Sequence, residues 1–175
     1  MTSAESHAAH PWPPGAWRLD ADRTRVQIQA KNFIFKTVGL NLKLESGTVT
    51  IDKDGAVSAV EAKVDAASVD SGNLKRDDHL RSGDFLDIDT YPNIGFSSRT
   101  VRPSPTGYEI DGELTVKAKG VSTTLAVDSV EVDRDHASFI ATGTVNRHAL
   151  RLTRMPSFMI GNDLMLIIVV HATQS

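Results

Sequence analysis

The fold class this chain predicts is all-β: about eight antiparallel strands that fit a closed barrel or a sandwich, with one short helix in a long connection. Three observations predict it. After Trp17, apolar and polar residues alternate with period two through most of the chain, the pattern of strands with one face in a core. Turn residues separate these runs at short intervals, at Asp52–Gly55, Pro103–Gly107 and Asp133–Asp135, and short connections favour hairpins, hence antiparallel neighbours. The 175 residues suit one domain with a sizeable core.

The elements follow in order. Residues 1–16 are polar and carry Pro11, Pro13, Pro14 and Gly15, so they read as a disordered arm before a barrel domain over 17–175. Val26, Ile28 and Ala30 alternate with Gln27 and Gln29. Leu40, Leu42 and Leu44 alternate with polar residues, and Val49 and Ile51 continue after Gly47. Val60, Ala62 and Val64 form the next face, and Ile94 and Phe96 open a strand that runs toward Val101. Tyr108, Ile110, Leu114 and Val116 share a face. Leu125 and Val127 precede Val130 and Val132, with a phase slip near Asp128. Phe139, Ala141 and Val145 share a face, and Leu164–Ala172 closes the set. The stretch Asn73–Ser82 breaks the alternation with Leu74 and Leu80 among charges; it predicts a short helix in the long connection, across the barrel mouth or flank.

The last strand is apolar on two sides. Leu164, Leu166, Ile168 and Val170 form one face; Met165, Ile167 and Val169 form the other. The second face needs cover. Either the helix or a second copy of the chain supplies it, the latter making a homodimer through Met165, Ile167 and Val169.

Composition excludes several functions. Net charge is −3 and the pI near 6.0, which gives no footprint for nucleic acid. There is no cysteine, which removes disulfides, thiolate catalysis and cysteine metal sites. His7 and His10 sit in the arm, His136, His148 and His171 are scattered, and Asp77 and His79 supply two metal ligands at best; no metal and no cofactor is expected. No P-loop or dinucleotide fingerprint occurs. The longest apolar run, Leu164–Val170, has seven residues, against the roughly 20 that span a bilayer as a helix. The start shows no basic, apolar leader, so the expected location is cytoplasmic.

Specific residues then recur in order: Ser68-Val-Asp-Ser-Gly-Asn73, Arg76-Asp77, His79-Leu-Arg-Ser82, Asp84-Phe85, Asp87, Tyr91-Pro92, Ile94 and Phe96. This stretch resembles the YceI-like family, as do Trp17–Val26, Gly112-Glu-Leu-Thr-Val116 and Val145-Asn-Arg147. The resemblance implies a lipocalin-like barrel whose elongated apolar cavity binds, stores or transports an isoprenoid, such as a polyprenyl phosphate or quinone tail. Departures from the family's pattern fall at strand ends: Arg23-Thr24, Ala30-Lys31-Asn32, the inserted Lys117-Ala118-Lys119, and His148-Ala-Leu150.

Candidate cavity-lining residues are Val26, Ile28, Phe33, Phe35, Leu42, Phe96, Phe139, Met155, Phe158, Met159, Leu166 and Ile168; as ordinary core they would fill the barrel instead. Arg76, His79, Arg81 and Arg147 are candidates for an anionic headgroup or the mouth. The competing account of Arg76 and Asp77 is structural, tying the helix to strand ends. Arg147 and His148, with Arg151 and Arg154, form a basic group that either marks a mouth able to touch a membrane surface or is a solvated loop. No enzymatic function is expected. A hydrolase would need His79 oriented by Asp77 or Asp84 with Ser68, Ser71 or Ser82 as nucleophile, and no nucleophile-elbow pattern is present. The remaining alternative is a stress-linked structural or interaction protein with a filled barrel.

Overall fold

The structure, a computed structural model, describes residues 12–31, 37–150, 152 and 162–175. The elements are β1 (Gly15–Leu19), β2 (Arg25–Lys31), β3 (Thr37–Ile51), β4 (Val57–Asp70), α1 (Leu74–Arg81), β5 (Asn93–Ser104), β6 (Gly107–Val116), β7 (Lys119–Asp133), β8 (His136–Asn146) and β9 (Asp163–Gln174). All pairings are antiparallel, running β2-β3-β4-β5-β6-β7-β8-β9 and back onto β2. That closes a barrel of eight strand positions. β1 does not add a ninth. It pairs β3 at residues 48–51 and β9 at 172–174, while β2 pairs β3 at 37–43 and β9 at 165–169. β1 and β2 are therefore two halves of one position between β3 and β9, interrupted by the Asp20–Thr24 turn. Closure leaves no free sheet edge along the barrel.

The registers define two ends. The turns β3–β4, β5–β6 and β7–β8 lie at one, with Gly15 and Gln174. This end is called the floor. The connections β2–β3, β4–β5 with its helix, β6–β7 and β8–β9 lie at the other, the mouth. Two phase changes in the apolar pattern have a backbone cause. In β3 the buried set passes from Leu42 and Leu44 to Val49 and Ile51 across a register shift between Leu44 and Ser46. In β7 the slip near Asp128 is a register shift between Asp128 and Glu131, with Ser129 at φ 54°. Each is a β-bulge, which adds a residue and resets the side-chain phase.

The arm expected over 1–16 is cut short from its inner end. Trp12 is 1% exposed, its N–H donates to Gly55 O at 3.2 Å, and β1 starts at Gly15. Its indole lies edge-on to Trp17, centroids 5.3 Å apart, and 6.1 Å from the ring of Phe139. A buried aromatic of this size outweighs the polar composition around it.

The inserted Lys117-Ala118 is the β6–β7 turn. Val116 pairs with Lys119, and both loop residues are left-handed, φ 53° and 61°. A two-residue hairpin of this shape favours Asn-Gly, because a Cβ costs about 1 kcal/mol there. Ala118→Gly is expected to raise the urea midpoint, by about 0.5–1 kcal/mol of stability, with an unchanged m-value.

The candidate functional site: an apolar lumen with a tied mouth

The barrel is hollow. Its lumen has a volume of about 130 Å³, on the scale of apolar cavities that stay dry and admit an aromatic-sized guest. It reaches from Val64, Ile94, Val116 and Leu164 toward the mouth to Ile110, Phe139 and Val170 toward the floor. Among the described residues Thr24 is the one hydroxyl-bearing residue in the wall. Its Oγ1 is occupied by the main chain of β9, donating to His171 O at 3.3 Å and accepting from His171 N at 3.2 Å. Such a wall holds apolar matter well and solvates charge badly.

Glycines help keep the lumen open. A Cβ on Gly112 would lie 2.5 Å from Cζ of Phe96 and 2.6 Å from Ser97 O. One on Gly143 would lie 2.8 Å from Cδ2 of Leu125, and one on Gly47 2.5 Å from Cδ1 of Leu19. Phe96, Leu125 and Leu19 line the lumen. Each lies back over a glycine of a neighbouring strand, so its bulk follows the wall and leaves the axis clear.

Of the predicted lining residues, Val26, Ile28, Leu42, Phe96, Phe139, Leu166 and Ile168 stand on this wall. Phe33, Phe35, Met155, Phe158 and Met159 lie outside the described residues, as do His7, His10, Arg151 and Arg154. Sequence reasoning missed Leu19, Leu86, Leu150 and Leu152 as wall residues. The latter three come from connections, where no period-two signal exists. It read Val60, Ala62, Ile110, Leu125 and Val145 as strand faces without assigning them to the lumen, although the same alternation places them there.

Arg76, His79, Arg81 and Arg147 all gather at the mouth end. The helix forms where predicted, with Asn73 as N-cap accepting from Arg76 N at 3.0 Å. It packs on β4, and the turn after it buries Phe85 and sets Leu86 in the lumen wall. The two arginines of α1 act mainly as ties. Arg76 donates from Nε to Ser71 Oγ at 2.8 Å and from Nη2 to Ser71 O at 3.0 Å. Arg81 donates to Ala67 O at 2.8 Å and Val69 O at 3.0 Å. These bonds fasten the helix to the carbonyls that end β4, the structural account of the cluster.

Asp77 completes the fastening. It is buried, and one oxygen accepts from Ser71 N at 2.8 Å and Ser71 Oγ at 2.5 Å. The Ser71 hydroxyl bond holds its carboxyl below the ordinary value of 3.8; burial opposes this, and the Ser71 amide, Arg81 and Arg76 reinforce it. A pKa lower in the folded state contributes stability that is present above the unfolded value and is lost as pH falls through the folded one. Acid titration monitored by circular dichroism should show wild type losing stability below about pH 4. Asp77→Asn should be less stable at neutral pH, with that part of the acid dependence gone.

Arg147 is only 3% exposed. It closes the loop after β8, donating from Nη1 to Leu152 O at 2.8 Å and accepting at its carbonyl from Leu152 N at 2.9 Å. Burial pushes its pKa down. It is therefore no part of a solvated loop, unlike His148, which is exposed. His79 is half-exposed, bonded through Nε2 to Asp84 at 3.2 Å, with its ring edge-on to Phe85. The three serines proposed for it as nucleophiles are engaged elsewhere: Ser68 Oγ donates to Asp65 O, Ser71 Oγ to Asp77 and Ser82 Oγ to His79 O. The triad that could be drawn from the sequence is not assembled. Among the described residues no helix is long and apolar enough to cross a membrane.

An eight-position antiparallel barrel around an apolar hollow belongs to the class of small closed barrels whose interior has room for one small ligand. The chain is a member of the YceI-like domain family, whose model matches residues 17–172. Protein YceI of Escherichia coli O17:K52:H18 is 38% identical over 80 residues, 45% of this chain and 42% of that protein. UPF0312 protein ECA1782 of Pectobacterium atrosepticum is 30% identical over 115 residues, 61% of this chain and 59% of its own length. The chain thus matches roughly half of these relatives' length. Among solved structures, Burkholderia cenocepacia BcnA superposes with a TM-score of 0.80 at 21% identity, covering 89% of this chain and 99% of that one. A polyisoprenoid binding domain from Saccharophagus degradans superposes with a TM-score of 0.69 at 12% identity, covering 91% and 98%. At these identities the likeness establishes the shared fold.

Proposed function

We propose that the barrel binds a long apolar isoprenoid chain in its lumen, a polyprenyl phosphate or quinone tail, for storage or transport. The observation that carries this reading is the hollow itself: an apolar wall whose one hydroxyl among the described residues is turned to the main chain. A filled barrel, the structural-protein alternative, has no such space. Family membership and the named ligand class of the Saccharophagus degradans domain support the same reading. Burying some 400 Å² of chain would supply on the order of 10 kcal/mol before the costs of association. The headgroup belongs at the mouth, where Arg147 lies in the same loop as Leu150 and Leu152 of the wall. The test is native mass spectrometry of protein purified from its own host, with solvent extraction and lipid identification. A stoichiometric isoprenoid supports the reading; an empty protein that also refuses added isoprenoids sinks it.

The outer face of β9 supports a homodimer. Met165 is 48% exposed and Ile167 and Val169 are half-buried, beside Gln27, Gln29, Thr142 and Thr144 on the flanking strands. The helix packs on β4, away from this face. Ile167→Glu should convert a dimer to a soluble monomer by light scattering; an unchanged mass rules this interface out.

A further inference from the structure

We propose that Trp12 is the floor of the lumen and sets how far an apolar chain reaches into the barrel. Trp12 lies outside the family match, which begins at Trp17, so the domain pattern does not account for it. Its ring sits at the floor end, 1% exposed, edge-on to Trp17 and tilted against Phe139. Between it and the lumen is a second void of about 10 Å³, lined by Trp12, Val49, Val57, Tyr108, Val127 and the three residues named next. Val60, Ile110 and Phe139 line both spaces. The indole thus stands where the lumen would otherwise continue.

The segment is held there. Trp12 N donates to Gly55 O, Trp17 Nε1 to Pro13 O at 2.9 Å, Gln174 Nε2 to Pro14 O at 3.1 Å and Ser175 N to Ala16 O at 3.0 Å. Trp12 is thereby tied to the β3–β4 turn, Pro14 and Ala16 to Gln174 and Ser175 at the end of β9, and Pro13 to the Trp17 indole. By contrast the Trp12 indole N–H is buried with no hydrogen-bond partner among the described residues. A buried donor without an acceptor is a net cost, so hydrogen bonding does not explain a tryptophan here. Its size does.

The inference rests on the lumen being the chain-binding site. In wild type, affinity should rise with chain length only until the tip meets the indole, and then level. Trp12→Ala joins the two voids and should move that plateau to longer chains. Each further 55 Å² or so of buried chain is worth about tenfold in affinity at 25 cal/mol per Å². Trp12→Phe, which also removes the unpaired donor, keeps an aromatic floor and serves if the alanine variant does not fold; it should move the plateau by less.

The experiment is calorimetric titration of the whole chain with prenyl alcohols from geraniol through farnesol and geranylgeraniol to solanesol. Terminally brominated alkanols of increasing length are followed in parallel by fluorescence. The chain has two tryptophans, and both lie at the floor, so bromine quenching reports only tips that arrive there. A plateau in wild type that coincides with the onset of quenching, and that shifts in either variant, supports the proposal. A plateau unmoved in a folded variant overturns it while leaving the lumen as the binding site. So does affinity that keeps rising in wild type with red-shifted tryptophan emission, since the segment then yields to the chain. Failure of every alcohol to bind overturns both this inference and the carrier reading.

Discussion

Ala141→Trp is expected to abolish uptake of apolar chains while leaving the barrel folded. Ala141 is 3% exposed on the inner face of β8, paired with Val127 on β7 and Ile168 on β9, and it lines the lumen. An indole projecting from that position occupies the axis that Phe96 and Leu125 leave clear by lying over Gly112 and Gly143. The chain's burial is its main source of affinity, so blocking it should weaken binding of farnesol or a longer prenyl alcohol by more than a hundredfold, about 2.7 kcal/mol or more. The cost to stability should be smaller, about 1–3 kcal/mol for overpacking, because the added ring enters space that is empty. Calorimetry for binding and urea unfolding for stability separate the two. Retained uptake in a folded variant would mean that the lumen is not where the chain goes.

This asymmetry reflects how the barrel was legible in its sequence. The wall was readable wherever it is made of strand. Val26 and Ile28, Leu42, Phe139, Leu166 and Ile168 sit at alternate positions, and alternation is a direct consequence of side chains pointing to opposite faces of a sheet. The phase slip at Asp128 was readable for the same reason, since a bulge leaves its mark as a parity change. The hollowness was not. Whether inward residues meet or stand apart depends on glycines that accept a side chain from the next strand, and Gly47, Gly112 and Gly143 look like any other glycine until their neighbours are known. The wall residues Leu86, Leu150 and Leu152 come from connections with no repeating pattern. At the mouth, the sequence offered four candidate headgroup residues, Arg76, His79, Arg81 and Arg147. Geometry separates them: Arg76 and Arg81 are fastened to the end of β4, His79 to Asp84, and only Arg147 is buried beside the wall.

The floor shows most plainly why composition misled. The polar, proline-rich start reads as a chain that cannot bury enough surface to order itself, yet its inner residues are ordered by one side chain and the partner that receives it. That partner, Trp17, gives the second large expected effect. Trp17 is fully buried, pairs with Val49 on β3 and Gln174 on β9, stacks edge-on with Trp12 and donates to Pro13 O. It therefore sits in the half-strand that completes closure at the floor. Trp17→Ala should cost about 3–5 kcal/mol, from lost transfer energy and the cavity left behind. For a domain of this size that corresponds to a fall in Tm of roughly 10 °C. Urea unfolding should show the midpoint move with little change in m if the remaining barrel stays closed. A drop in m as well would mean that the floor opens in the native state. Because the two rings touch, Trp17→Ala and Trp12→Phe should not add; their double-mutant cycle should return a coupling of about 0.5–1.5 kcal/mol, the range for an aromatic pair. Strict additivity would show that the two tryptophans stabilise the floor independently, and that Trp12 is held in place by its backbone bonds alone.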